Sequence, residues 1–116
     1  MYEKLLERFI AYAKVDTRSD DSSYTVPSTH NQVTFALELA KELIAIGLDE
    51  VEYNETNGFL TATLPSNTAE AVPVIGFIAH LDTADFNSVN IHPQVHSAYD
   101  GGDIVLNEAE QIVLSP

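Results

Sequence analysis

The residues best suited to chemistry in this chain are the imidazole and carboxylate of His80-Leu81-Asp82-Thr83, which follow directly on the apolar run Val74-Ile75-Gly76-Phe77-Ile78-Ala79. If the extended chain continues through them, His80 and Asp82 point to one side with their backbones ~7 Å apart, at ~3.3 Å per residue. An imidazole that ligates a metal usually gives its other ring N–H to a carboxylate or carbonyl, which fixes the tautomer and raises the basicity of the ligating nitrogen. A histidine after a strand has two readings, a structural side chain satisfied locally or a ligand, and Asp82 weighs toward the second. The end of a central strand is also where open α/β sheets gather their ligands.

The other titratable residues carry weaker arguments. His92 and His96 are four apart, a metal spacing on one helical face, but Pro93 disfavours helical geometry at His92 and makes an irregular surface segment the expectation. His30, just inside a helix start, reads as a solvated side chain. The acid pairs Asp20-Asp21 and Asp49-Glu50 lie in polar connecting segments, where neighbouring side chains rarely face one another, and read as solvated loop acids. The chain contains no Gly-x-Ser-x-Gly elbow, phosphate-binding loop or Gly-x-Gly-x-x-Gly fingerprint. It also has no cysteine, so disulfides and thiolate metal sites are excluded, and a reducing compartment fits.

Positioning His80 and Asp82 falls to the surrounding elements. The six apolar residues after Pro73 predict a short strand buried on both faces of a sheet. Between Tyr2 and Val15, Leu5, Leu6, Phe9, Ile10 and Ala13 recur at three and four, which predicts an amphipathic helix packing one face on a core. Asp16 to Ser28 reads as a loop of about 13 residues, near the upper limit for a structureless connection and therefore a candidate for function. Thr29 and Gln32 match a capping box that starts a second helix. Its buried stripe is Val33, Ala36, Leu37, Ala40 and Leu43 or Ile44, and Gly47 stands where a left-handed cap is wanted. Val51–Asn54 and Phe59–Leu64 flank Asn57-Gly58 and predict a hairpin, which Pro65 ends. Further on, Val89–Ile91, Val95 and Ile104–Leu106 suggest extended pieces, with a turn at Asp100-Gly101-Gly102-Asp103. This order predicts an α/β domain with a mixed sheet whose first strands pair antiparallel.

With 116 residues, 45% of them hydrophobic, the chain is long enough for one domain and too short for two. A formal charge of −13, from 18 acids against 5 bases, would repel a phosphate backbone, so nucleic acid is not an expected partner. Such acidity could favour cations, though its commoner meaning is a well-solvated surface. The first residues show neither a basic segment nor a long apolar run, so no signal peptide, no membrane span and a soluble cytoplasmic protein are expected.

Several stretches carry a resemblance when taken in order: Asp16-Thr17-Arg18-Ser19-Asp20, Val26-Pro27-Ser28-Thr29, Leu43-Ile44-Ala45-Ile46-Gly47-Leu48, Gly58, Ala62-Thr63-Leu64-Pro65-Ser66-Asn67, Ile75 through Phe86, and Tyr99-Asp100-Gly101-Gly102-Asp103-Ile104. Together they resemble the N-terminal part of the dizinc M20 metallopeptidase family, in particular its tripeptide aminopeptidases. Asn31 stands where similar sequences commonly have glycine, and Ala84-Asp85-Phe86 is one residue shorter than the usual stretch.

The resemblance implies a three-layer catalytic domain, helices on both sides of a mixed sheet, with two zinc ions per complete site and an interrupting lid or dimerisation domain. Residues 1–116 would be the incomplete N-terminal portion of that catalytic domain, without the lid. The implied activity is hydrolysis of the N-terminal peptide bond of tripeptides through a metal-activated water, in a full-length protein that could be a homodimer. By the same resemblance His80 is a ligand of one zinc, and Asp82 is the catalytic carboxylate that orients and polarises it without binding metal itself. The bridging aspartate, glutamate base, other acidic ligand and second histidine would come from outside this chain. A catalytic zinc site generally needs three protein ligands plus water, so the segment alone is expected to be inactive. The ending Val113-Leu114-Ser115-Pro116 has no capping or tail composition, which also predicts a fragment. Two alternatives stand beside this reading: a deacylase or dipeptidase of the same family, and a non-catalytic α/β module that packs against a partner.

Overall fold

The Thr29-x-x-Gln32 start and the Gly47 stop enclose the longest element of the chain. In a computed structural model, which describes residues 4–116, this is helix α2, His30–Ala45. The capping box is formed at its N-terminus, with Gln32 Oε1 accepting from the Thr29 amide at 3.4 Å. At the other end Gly47 has φ 93°. The Leu48 amide reaches back to the Leu43 carbonyl and the Gly47 amide to that of Ile44, both at 3.0 Å, the paired bonds of a Schellman cap.

Helix α1, Leu5–Ala13, precedes it; the expected start at Tyr2 lies outside the described residues. The two helices meet through Tyr12, whose hydroxyl donates to Glu42 at 2.6 Å and whose ring meets Phe35 edge-on at 5.5 Å. Arg8 pairs with the same Glu42 carboxylate. The apolar stripe is only partly covered: Ile10 and Ala13 are half-buried, whereas Leu5, Leu6 and Phe9 face solvent.

Strands β1, Asp49–Asn54, and β2, Phe59–Thr63, pair antiparallel in the register Asn54 with Phe59 and Tyr53 with Leu60, with an irregularity between Asp49 and Glu52. Their turn spans four residues, with Gly58 at φ 73° and its amide bonded to the Asn54 carbonyl at 2.8 Å. Helix α2 packs on this hairpin, and Ala36, 1% exposed, is the one buried hydrophobic residue among those described.

The largest departure from expectation is at Val74–Ala79, where no strand forms. The segment lies free of any ladder, with Phe77 94% and Ile75 75% exposed. Strands buried on both faces take their hydrogen bonds and their apolar cover from neighbours on every side, and no neighbour of that kind exists among the described residues. Val89–Ile91 and Val95 are likewise not strands. Beyond them β3, Ile104–Asn107, covers the last extended piece anticipated and pairs antiparallel with an unanticipated β4, Ile112–Leu114.

The described chain is thus α/β, with two helices and two separate antiparallel hairpins. Its radius of gyration, 18.0 Å, exceeds the roughly 13 Å of a compact chain of about this length. No described helix is long and apolar enough to cross a membrane.

Candidate metal site

The long loop after α1 comes back to meet the His80 segment. Thr83 pairs in parallel with Arg18: the Thr83 amide donates to the Thr17 carbonyl at 3.1 Å, and the Ser19 amide to the Thr83 carbonyl at 2.9 Å. Two side-chain ties flank this single bridge. Arg18 reaches Asp85 through Nε at 2.6 Å and Nη2 at 2.5 Å, and the Ser88 hydroxyl donates to Asp16. The same Asp16 carboxylate accepts from Asn31 at 3.1 Å, which links the loop to the first turn of α2.

At the end of the apolar run the His80 side chain meets Asp82, two residues on. His80 Nδ1 lies 2.7 Å from the Asp82 main-chain carbonyl and 3.2 Å from its Oδ1. Both partners can only accept, so Nδ1 carries a proton, and the neutral form of the ring would present its lone pair on Nε2. The side chain is 82% exposed, which leaves that edge open to a metal. This is the local arrangement a histidine ligand uses, with the main-chain carbonyl of Asp82 as the nearer partner and its carboxylate as the second.

Two carboxylates of the junction, Asp82 and Asp16, and Asp20 in the adjoining loop are favoured in their charged forms. Asp82 is lowered from the usual carboxylate value, chiefly by the hydroxyl of Ser19, which donates to Oδ2 at 2.9 Å. Asp16 is lowered chiefly by Ser88, and Asp20 chiefly by the Ser22 side chain, which donates to Oδ1 at 2.6 Å. Among the described residues no group of three or more His, Asp or Glu side chains could together hold a metal ion. A single imidazole with its tautomer set fits one corner of a zinc centre and no more.

Comparison with known proteins adds what geometry alone lacks. The chain is 56% identical over 117 residues to Peptidase T of Geobacillus thermodenitrificans, a match covering all of this chain and 28% of that protein. It is 60% identical over 101 residues to Peptidase T of Enterococcus faecalis, covering 87% of this chain and 25% of that protein. Peptidase T of Latilactobacillus sakei is 51% identical over 116 residues. The chain is peptidase T-like from end to end. It spans about a quarter of the length of the curated relatives it matches, and corresponds to their N-terminal part. No family model matches it.

Within this peptidase T-like segment the remaining sequence candidates stay apart from the junction. His92 and His96 lie in an irregular stretch, and His30 is exposed on the first turn of α2. Asp20 serves its own loop, accepting from Ser22. Glu50 belongs to β1, where the expectation was a connecting segment, and accepts from Thr63 across the hairpin at 2.8 Å. The sequence reading missed Ser19 and Ser88 as partners of Asp82 and Asp16. Their only signal was membership of polar loops, since the contacts join residues 63 and 72 apart.

Proposed function

We propose that this chain is the N-terminal part of the catalytic domain of a zinc-dependent tripeptide aminopeptidase of the dizinc M20 family. His80 binds one of two zinc ions through Nε2, and Asp82 positions His80 without ligating metal. The observation that carries this reading is the paired contact of His80 Nδ1 with the Asp82 carbonyl and carboxylate, in a chain similar throughout to Peptidase T. Zinc bound there would supply Lewis-acid polarisation of the scissile carbonyl and a water of near-neutral pKa.

The chain's own residues do the positioning. Asp82 holds the proton on Nδ1, and the Thr83 bridge fixes the His80 segment against the loop at Ser19. In the complete protein Val74–Ala79 takes its place as a strand of a mixed sheet with helices on both faces, and a separate lid or dimerisation domain completes a cytoplasmic, homodimeric enzyme. The exposed apolar side chains of that segment and the similarity to a quarter of longer proteins support this completion. The remaining ligands and the general base lie in the other three-quarters.

Replacing His80 by Ala in the full-length protein should sharply reduce zinc content and tripeptide hydrolysis; unchanged values for both would contradict the assignment. A panel of free and N-blocked peptides separates an aminopeptidase from a deacylase or dipeptidase, since only the first requires the free amine of a tripeptide. The 116-residue chain by itself should show no turnover, and stoichiometric tight zinc binding with turnover would overturn that part of the proposal.

A further inference from the structure

The three buried polar side chains among the described residues are Thr17, Gln32 and Ser88, and all belong to the junction that holds His80. A buried polar group is costly unless it is hydrogen-bonded, and none of those described is left without a partner. Gln32 is the most connected of them. Its Nε2, on a side chain of a residue 6% exposed, lies 3.1 Å from the Thr17 carbonyl and 3.3 Å from the Arg18 carbonyl, Ser19 Oγ and Ser28 Oγ.

The contact with Ser19 sets a direction. An amide nitrogen can only donate, here through two N–H groups shared among four acceptors, and a carboxylate can only accept. The Ser19 hydroxyl, placed between Gln32 Nε2 at 3.3 Å and Asp82 Oδ2 at 2.9 Å, can therefore accept from the first only as it donates to the second. With Oδ2 engaged in this way, Oδ1 remains for His80 Nδ1 at 3.2 Å. The order of the relay is Gln32, Ser19, Asp82, His80. It joins the start of α2 to the imidazole, and its members come from three separate parts of the chain.

We propose that Ser19, held by Gln32, is a positioning residue that orients the Asp82 carboxylate, which acts beside the nearer Asp82 main-chain carbonyl to favour the Nδ1–H tautomer of His80 and so its affinity for metal. The proposal rests on His80 being a zinc ligand. Loss of a group bonded directly to a metal ligand typically lowers metal affinity 10- to 100-fold, and Ser19, acting one bond further out through Asp82, falls at the lower end.

The test uses the full-length protein with 15N-labelled histidine, the His80 signals being assigned by their loss in His80→Ala, and zinc affinity measured by chelator competition. In metal-free wild-type protein, neutral His80 should carry its proton on Nδ1. Ser19→Ala should move His80 toward the Nε2–H form and weaken zinc binding roughly 10-fold, whereas Ser19→Thr, which keeps the hydroxyl, should restore both. Gln32→Ala should shift the tautomer in the same direction as Ser19→Ala. A Ser19→Ala protein with wild-type tautomer and zinc affinity would overturn the relay, as would equal losses in the Ala and Thr variants. If His80→Ala instead leaves zinc binding unchanged, the ligand assignment fails, while the tautomer shift in metal-free protein still decides the relay.

Discussion

Asp16 and Asp20 each have a folded-state value below that of an ordinary carboxylate, because Ser88 and Ser22 respectively donate to the charged form. A carboxyl group depressed in this way contributes stability that is present above the unfolded pKa of ~3.9 and lost as pH falls through the folded value. The junction should therefore loosen under acid, and Asp16→Asn should flatten the part of that response that belongs to the Ser88 tie. Amide exchange at Ser19 and Thr83 measured from pH 6 to 3 checks this, and an identical acid response in the variant would contradict it. Tyr12 has the opposite sense. Burial, followed by its bond to Glu42, raises it to about 12. The Tyr12–Glu42 hydrogen bond therefore contributes fully below about pH 10, the unfolded value, and is lost as pH rises through the folded value, while Arg8 still pairs with Glu42. At this scale His80 and Asp82 were legible in the sequence because their pairing is local. Ser19, Gln32 and Ser88 were not, because hydroxyls and amides in loops and caps look alike until the fold chooses their partners.

The elements divide by how far each depends on its neighbours. Helix α2 was readable almost to the residue, since a capping box and a glycine stop are encoded within the helix itself. The β1–β2 hairpin was similarly legible, and Gly58 shows why its turn tolerates little change. Its φ is 73°, and a Cβ there would lie 2.6 Å from Pro27 Cγ. Gly58→Ala should cost about 1–3 kcal/mol, from left-handed strain together with displacement of Pro27, read as a lower urea midpoint at constant m; an unchanged midpoint would contradict the contact. The β4 strand escaped notice because its turn, Glu108 to Gln111, contains no glycine or proline. Instead Asn107 Oδ1 caps the amides of Ala109 and Glu110 at 3.0 and 3.2 Å, and Gln111 takes φ 54°.

Across the whole molecule, local signals and long-range ones part company. Val74–Ala79 has the composition of a fully buried strand, yet burial is a property of a finished sheet, and the described residues offer that segment no partner. What the long-range contacts do build is the junction between residues 16–19 and 82–88, tied by the Thr83 bridge, the Arg18–Asp85 pair and the two serines. Beside that junction His80 contacts Asp82 through Nδ1, and zinc binding through Nε2 is the central claim for a chain covering about a quarter of its peptidase T relatives. The most direct measurement is a crystal structure of the zinc-loaded full-length protein, with anomalous data collected at the zinc edge. The account predicts a peak about 2.0–2.1 Å from His80 Nε2 with Nδ1 still on Asp82; zinc on Nδ1, or no zinc beside His80, would contradict it.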